Sequence, residues 1–235
     1  MRTVEVLRTE SLSPNVKGLT LSCSDGQPLA YLPGQWINLH IACQGVVDKR
    51  PYSIASAPSS ARPECFELAI TRVEQGRVSL ALHDLQVGDR CEIDGPYGFF
   101  TREGFAYADA LMVGTGTGVG PLRAMIQAEL QRASGAQVTL LFGCRTPDDI
   151  LYAAEFEQLA QQHTRFHFEP TLSRAGAAWA GRRGYVQTQL SELVVQTGRP
   201  HVFVCGLSDM VNEVRNVLKQ DLGYDRKHVH TERYD

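Results

Sequence analysis

The pattern of apolar residues changes near residue 106, and this change constrains the fold more than any other feature of the sequence. Before it, short runs of alternating or β-forming residues are separated by turn-rich stretches such as SDGQP and SAPSSARP. After it, apolar strands alternate with amphipathic helical patterns. Short, closely spaced strands are typical of an antiparallel barrel or sandwich, whereas strand–helix alternation indicates a parallel sheet covered by helices. We therefore predict two domains, residues 1–102 and 103–235.

The periodicity also predicts individual elements. In the first domain, strands are expected at residues 3–8, 18–23, 35–42, 65–73 and 90–93, with a short helix near 77–85 whose apolar face holds Val78, Leu82 and Leu85. In the second domain, strands are expected at residues 110–113, 138–142, 165–170 and 201–204. Helices are predicted to begin at Pro121, at Thr146–Pro147 and near Asp209.

Charge and cysteine spacing exclude several classes of protein. The net charge of −3 gives no basic field for a nucleic acid. No stretch approaches the roughly 18 apolar residues of a membrane span, and the N-terminus lacks the apolar core of a signal peptide, so a cytoplasmic location is predicted. No two of the six cysteines have C-x-x-C spacing, which argues against a zinc site and a ferredoxin-type cluster.

A glycine-rich stretch, GTGTGVGP, occupies residues 114–121 between a predicted strand and a predicted helix. Backbone N–H groups and a helix N-terminus in this place suit a phosphate, and glycine lets a ligand approach the main chain closely. The stretch is not the Rossmann fingerprint, because Val119 stands where G-x-G-x-x-G needs glycine, and no Walker G-K-[ST] is present. Taken alone, the loop fits either a dinucleotide site or a tight connection without a ligand.

Three further segments carry groups suited to cofactors. In extended conformation, residues 50–53 (RPYS) place Arg50 and Tyr52 on one side and Ser53 on the other. Residues 76–79 (GRVS) open the predicted short helix, whose amides suit a diphosphate. Residues 204–210 (VCGLSDM) end a buried strand at the edge where parallel sheets bind ligands. Taken singly, each segment also fits an ordinary strand, helix start or core cysteine.

Together, and in this order, the four segments resemble the motifs of the ferredoxin–NADP reductase superfamily. RPYS looks like its flavin motif, GRVS its flavin pyrophosphate motif, GTGTGVGP its nicotinamide pyrophosphate loop, and CGLSDM its terminal C-G motif. The resemblance covers essentially the whole chain. It implies an antiparallel Greek-key β-barrel that binds flavin, followed by an α/β domain with a five-stranded parallel sheet that binds a nicotinamide nucleotide.

The resemblance also implies roles for single residues toward FAD. By it, Arg50 binds the FAD pyrophosphate, Tyr52 stacks on or edges the flavin, and Ser53 lies near flavin N5, the atom that receives hydride. The other residues expected to bind FAD are Pro51, Ala69, Ile70, Gly76, Val78 and Ser79.

For the nicotinamide nucleotide, the resemblance places Thr117 where nicotinamide meets flavin and Cys205 beside the nicotinamide C4. Ser53, Thr117 and Cys205 are thus the expected catalytic residues, but they position the rings, and the transfer itself belongs to the cofactors. The other residues expected to bind the nucleotide here are Gly114, Thr115, Gly116, Gly118 and Gly206.

Several arginines bear on the choice between NADPH and NADH. Ser173–Arg174 resembles the S-R pair that some NADPH-using relatives apply to the 2′-phosphate. Arg145, Arg182 and Arg183 would assist, because guanidinium suits phosphate. NADH-using relatives also carry arginines in this region, so both nucleotides stay open, with NADPH slightly favoured.

Two features near the C-terminus have alternative interpretations. Relatives often place a terminal aromatic residue over the flavin, which would be Tyr234, but Asp235 follows it here and leaves that role open. His228 and His230 alternate on a predicted strand; two exposed histidines without a third ligand favour no metal site.

The predicted function is an FAD-containing NAD(P)H oxidoreductase that passes electrons to a separate ferredoxin, flavodoxin or oxygenase component, because the chain has no cluster cysteines of its own. A free-flavin reductase, from which flavin leaves as product, is the alternative within enzymes. A non-catalytic nucleotide-binding or regulatory subunit is the alternative from another class. Stoichiometric FAD in the purified protein would favour the reductase with bound FAD over the free-flavin reductase.

Overall fold

A computed structural model describes residues 1–43, 45–105 and 107–234. The chain divides into two compact units. The first unit comprises Met1–Arg102 together with Arg123–Ala128, and the second comprises Glu103–Leu122 together with the residues from Glu129 onward. Each unit has its own sheet.

The first unit is built on a six-stranded antiparallel sheet. Its elements are β1 (Arg2–Ser13), β2 (Val16–Cys23), β3 (Trp36–Cys43), β4 (Val46–Ser53), β5 (Cys65–Thr71), α1 (Arg77–Asp84) and β6 (Arg90–Tyr97). The strand order is β4-β3-β6-β1-β2-β5. Directly after β4, Ile54 forms an antiparallel bridge with Leu68 of β5, which links the two outer strands of that order. This closure confirms the antiparallel barrel predicted from the sequence.

Alternating side chains fill the interior of this barrel. Most of the apolar side chains buried on strands β1, β2 and β3 lie at alternate positions, as a sheet with one face toward a core requires; these are Val4 and Val6, then Leu19, Leu21 and Cys23, and then Ile37, Leu39, Ile41 and Cys43. The fully buried aliphatic side chains include Val4, Val6, Leu21, Ile37, Leu39, Leu68 and Ile70. Helix α1 adds Val78 and Leu82 to the same core, with Leu85 packed against it, so the predicted apolar face is confirmed.

Strand β4 was absent from the strands predicted by periodicity. Its sequence, VVDKRPYS, is exposed or half-buried at every position, so it carries no inside–outside alternation. It pairs along its whole length with β3, from Cys43 opposite Val46 to Trp36 opposite Ser53. The strand exists because of this pairing rather than because of its own apolar pattern.

The second unit contains a parallel sheet in the order β10-β9-β8-β7-β11-β12. The strands are β7 (Ala110–Thr115), β8 (Val138–Cys144), β9 (Phe166–Leu172), β10 (Arg182–Arg183), β11 (His201–Leu207) and β12 (Val229–Tyr234). Helix α2 (Val119–Gln131) begins and ends in this unit, although its residues Arg123–Ala128 belong to the first unit. The other helices are α3 (Ala153–Gln162), α4 (Leu190–Gln196) and α5 (Ser208–Asn216). Near-continuous burial along β7, β8 and β11 is the pattern of strands covered on both faces.

The α/β class is confirmed, but three details of the prediction were wrong. The sheet has six strands rather than five, because the two-residue β10 pairs with the end of β9. Thr146 and Asp149 form a capping box on a short 3₁₀ turn, Pro147–Asp149, and the helix proper begins only at Ala153. Helix α4 was not predicted, because only seven residues carry its pattern. Within the described residues, no helix is both long and apolar enough to cross a membrane.

Replacing Gly34 by alanine is expected to destabilise the first unit more than replacing Gly26. Gly34 has φ +102°, and a Cβ there would lie 1.9 Å from the Phe100 carbonyl oxygen. Gly26 also has a positive φ, +68°, but a Cβ there would meet no atom within 4 Å. Gly26→Ala thus adds only left-handed strain, about 1–2 kcal/mol, whereas Gly34→Ala must also displace backbone and is expected to cost more than about 3 kcal/mol.

Urea unfolding of both variants measures this difference. Equal losses in the free energy of unfolding would contradict the packing explanation for Gly34.

Candidate cofactor-binding sites

The start of α1 lies beside β4 in the first unit. Arg77, the first residue of α1, donates from Nη2 to Oδ2 of Asp48 at 2.6 Å. Asp48 and Arg50 are two residues apart on β4, so their side chains leave the strand on the same side. The Arg50 guanidinium is exposed, and its Nη1 donates to the carbonyl of Lys49 at 2.8 Å. An exposed cation and a helix start therefore share one side of the barrel, and this arrangement suits a diphosphate.

The turn that begins α1 is held by the Ser79 hydroxyl. Ser79 Oγ accepts from the amide of Val73 at 3.1 Å and donates to the carbonyl of Gly76 at 2.9 Å. A Cβ on Gly76 would lie 2.7 Å from Oγ of Ser79, so the turn requires glycine at this position. The first amides of a helix have no acceptor within the helix. The amides around Val78, rather than the Ser79 hydroxyl, are thus the phosphate donors that this segment offers.

Tyr52 and Ser53 end strand β4. The half-buried Tyr52 packs against the barrel core, and burial raises the pKa of its phenol to about 12, opposed in part by the Arg50 charge. Its hydroxyl is therefore protonated at neutral pH and can donate a hydrogen bond. Ser53 stands opposite Trp36 in the register of β3 and β4, half-buried. Both residues fit a flat aromatic ring with polar edges.

The two β5 residues expected to bind FAD differ in position. The side chain of Ile70 lies in the barrel core, and its carbonyl oxygen is 2.9 Å from Nε2 of His83. Ala69 is half-buried on the other side of the strand. Only Ala69 therefore presents a side chain outside the core.

Sequence reasoning missed a buried polar network in the first unit. Arg123 is buried, and its Nη1 donates to the carbonyl of Ala55 at 2.7 Å and to Oε2 of Glu67 at 2.6 Å. One turn later, Oε1 of Gln127 accepts from the amide of Ala57 at 2.8 Å. These bonds fix the chain just beyond Ser53. The signal was the polar i, i+4 pair on the helix face that otherwise carries apolar residues such as Leu122 and Ile126.

In the second unit, the glycine loop and the Cys205–Gly206 turn pack together. Gly114 on β7 stands opposite Cys205 on β11 in the parallel register. A Cβ on Gly118 would lie 2.4 Å from the Cys205 carbonyl oxygen, and one on Gly206 would lie 2.5 Å from Oγ1 of Thr115. Residues Gly116–Gly118 form a single 3₁₀ turn that leads into α2. The structure therefore brings together two of the predicted segments at the carboxyl edge of the sheet, where Thr117 also lies.

Cys205 is a buried, neutral thiol. Its side chain is fully buried, and this desolvation raises the pKa of the thiol well above its ordinary value. The nearby Glu232 charge raises it further, and a side-chain hydrogen bond with Tyr234 opposes the shift. Tyr234 therefore lies beside the Cys205 thiol at the same edge, while Asp235 lies outside the described residues. A thiol in this state is a steric and polar contact rather than a nucleophile.

Three of the predicted 2′-phosphate residues meet at that edge. The amide of Ser173 donates to the carbonyl of Cys144 at 3.0 Å, and the amide of Arg174 donates to the carbonyl of Arg145 at 2.9 Å. The side chains of Arg145 and Arg174 are exposed and have no hydrogen bond or ion pair within the described part of the chain. They are available to an anion.

Arg182 has other partners. It forms ion pairs with Glu192 at 2.8 Å and Glu169 at 2.7 Å, and these bonds hold the pKa of its guanidinium above the ordinary value. Nη1 also donates to Gln189. Because two carboxylates occupy this guanidinium, its direct use on a phosphate would require breaking those pairs.

The histidines near the C-terminus are half-buried rather than exposed. His230 stacks on Phe203 with ring centroids 4.5 Å apart, and its ring lies 4.5 Å from that of Phe105. His201 joins them, with its ring 4.8 Å from that of His228. Among the residues described, no group of three or more His, Cys, Asp or Glu side chains is arranged to hold a metal ion.

Comparisons with known proteins bear on both units. Residues 3–101 match the oxidoreductase FAD-binding domain, and residues 112–216 match the oxidoreductase NAD-binding domain. The chain is 46% identical to ferredoxin–NADP reductase B of Sorangium cellulosum over 230 residues, which covers 95% of this chain and 93% of that protein. It is 32% identical to the glycine betaine monooxygenase reductase subunit of Chromohalobacter salexigens over 88% of this chain.

Solved structures give the same fold. The Amycolatopsis cytochrome P450 reductase GcoB superposes with a TM-score of 0.86 at 27% identity, covering 99% of this chain and 69% of that one. The ferredoxin–NADP⁺ reductase of Neisseria gonorrhoeae, solved with FAD and NADP bound, superposes with a TM-score of 0.83 at 21% identity, covering 98% and 97% of the two chains. By contrast, this chain spans 58% of the length of the glycine betaine monooxygenase subunit and 60% of a phenol 2-monooxygenase reductase component.

Alkylation tests the state of Cys205. At pH 8, iodoacetamide is expected to modify the half-buried Cys65 slowly, because burial also raises the pKa of that thiol, and to leave the fully buried Cys205 unmodified in the native protein. In urea, both thiols should react. Peptide mass spectrometry measures the label at each position, and rapid native labelling of Cys205 would contradict this description.

Proposed function

Because the chain belongs to the ferredoxin–NADP reductase family, we propose that it takes reducing equivalents from NADPH through FAD to a separate protein acceptor. The two domain matches and the relative with 46% identity show that the chain is an FAD-containing NAD(P)H oxidoreductase. The observation that carries the proposal is the match over 95% of the chain, with all four motif segments intact. When bound, FAD would accept two electrons as hydride and release them one at a time.

In the first unit, we assign the FAD diphosphate to Arg50 and to the amides at the start of α1. Their common side of the barrel and the exposure of Arg50 support this assignment. Tyr52 would contact the flavin ring, and Ser53 would lie at its N5 edge. Arg123 and Gln127 bind the main chain just after Ser53, so they would help to fix the position of Ser53.

In the second unit, we assign the nicotinamide end of the nucleotide to Thr117, Cys205 and Gly206. The glycines allow the main chain of both turns to approach a ligand closely. The neutral Cys205 thiol would position the nicotinamide ring without reacting with it, and Tyr234 beside it would limit the space available.

We assign the 2′-phosphate of NADPH to Ser173, Arg174 and Arg145. Two exposed guanidinium groups beside a hydroxyl suit a dianionic phosphate. Arg182 is left out of this set, because Glu169 and Glu192 already bind it. Use of NADPH rather than NADH rests on this cluster.

The acceptor is proposed to be a ferredoxin, a flavodoxin or an oxygenase component. Relatives named as a ferredoxin–NADP reductase and as monooxygenase reductase subunits support this class. The proposal places the one-electron centre on this acceptor. The cytoplasmic location stays a prediction.

Anaerobic mixing tests the core of the proposal. Protein that retains one FAD per chain should lose its flavin absorbance within a stopped-flow mixing time on addition of NADPH, and more slowly or at higher concentration with NADH. Flavin that is lost on gel filtration, together with turnover of added free flavin, would instead favour the free-flavin reductase. Failure of both nucleotides to reduce bound flavin would contradict the proposal.

A double substitution tests the nucleotide assignment. Arg145→Met combined with Arg174→Met is expected to raise KM for NADPH by on the order of 10–100-fold, because two charge-assisted contacts are lost. KM for NADH should change little, because NADH lacks the 2′-phosphate. Steady-state kinetics with both nucleotides measure the effect, and an equal change for both would contradict a 2′-phosphate site.

A further inference from the structure

A short loop carries Ser173 and Arg174 at the carboxyl edge of the second sheet. This loop, residues 173–181 (SRAGAAWAG), runs from the end of β9 to the start of β10. Its start is fixed by hydrogen bonds from the backbone amides of Ser173 and Arg174 to carbonyls at the end of β8. Its end joins the sheet as β10. Between these points it consists of alanine and glycine apart from the half-buried Trp179.

Arg183 bonds to the middle of this loop. Its Nη1 donates to the carbonyl of Ala175 at 3.2 Å, and its Nη2 donates to the carbonyls of Gly176 at 3.0 Å and Trp179 at 2.6 Å. The indole Nε1 of Trp179 donates to the carbonyl of Arg182 at 2.8 Å. One guanidinium thus joins three carbonyls of an exposed segment, and its planar fork fixes their mutual geometry.

The bonds of Arg183 differ in kind from those of the neighbouring arginines. Arg182 pairs with carboxylates, and Arg145 and Arg174 present unpaired side chains among the described residues. Arg183 uses three donors on main-chain oxygens of the loop itself. Without it, residues 175–179 lose these three bonds, and ordering the loop on a ligand would then cost conformational entropy.

We propose that Arg183 is a positioning residue for nucleotide specificity. By fixing the loop, it holds Ser173 and Arg174 beside Arg145 in the arrangement that receives a 2′-phosphate before the nucleotide binds. It acts through the loop and not through a direct contact with the phosphate. This inference rests on the proposed 2′-phosphate site, and it adds a residue whose substitution changes the preference between NADPH and NADH.

The substitution Arg183→Lys separates positioning from charge. Lysine keeps the positive charge but cannot bond three carbonyls in a planar fork. We expect R183K to lower kcat/KM for NADPH by about tenfold, or about 1.4 kcal/mol, and to leave kcat/KM for NADH within about twofold. The dissociation constant of 2′,5′-ADP, measured by calorimetry, should rise by the same factor, while that of 5′-AMP should not change.

Arg165 provides a matched control. It bonds in the same way to main-chain carbonyls, those of Glu129 at 2.7 Å and Arg132 at 3.1 Å, but it stands before β9 at the opposite edge of the sheet. R165K therefore removes a comparable set of bonds away from the nucleotide. It should leave the ratio of NADPH to NADH kcat/KM unchanged, and thermal unfolding compares the stability of the two variants.

Each other outcome has a definite meaning. If R183K keeps the full NADPH rate, Arg183 acts by charge alone and the positioning role is overturned. If it lowers the NADH and NADPH rates equally, the residue is a general structural contact and the inference again fails. If the wild-type protein binds 2′,5′-ADP no more tightly than 5′-AMP, the 2′-phosphate site itself is wrong, and that failure is visible before any variant is made.

Discussion

The parallel pairing of β7 with β11 governs the candidate nucleotide site. It sets Gly114 opposite Cys205, so the two turns that follow leave the same edge of the sheet and meet there. The contact between them is main chain against main chain, with no room for a side chain at Gly118. The strand register therefore determines both where glycine is required and where the buried thiol lies. The surface available to a ligand at this edge follows from that register.

The sequence predicted the elements whose own pattern carries the information. Strands β7, β8 and β11 are continuous apolar runs, and β1 to β3 have apolar residues at alternate positions over part of their length, so their positions were predictable. Strand β4 is polar and exposed, and its conformation is set by β3. Helix α4 and the two-residue β10 are too short for a period to be recognised. The elements that were missed either have no apolar alternation of their own or are too short to show a period.

The same distinction applies to the site. The four motif segments were recognisable because glycine, proline and cysteine at fixed spacing carry local backbone requirements. The partners of Arg182 and Arg123 were not, since Glu192 and Glu67 come from other elements. Four arginines near the carboxyl edge of the second sheet look equivalent in the sequence. In the structure, Arg182 pairs with carboxylates, Arg183 binds loop carbonyls, and Arg145 and Arg174 are exposed. Sequence reasoning identifies the chemical groups, and tertiary contacts decide which of them are available.

The burial of the thiols has a consequence for an enzyme of this kind. Oxidation of cysteine proceeds mainly through the exposed thiolate. Desolvation raises the pKa of Cys91 to about 11 and of Cys144 to about 12, and it keeps Cys205 protonated as well. Burial therefore keeps these three sulfur atoms in the thiol form, which is the form that reacts slowly with oxidants.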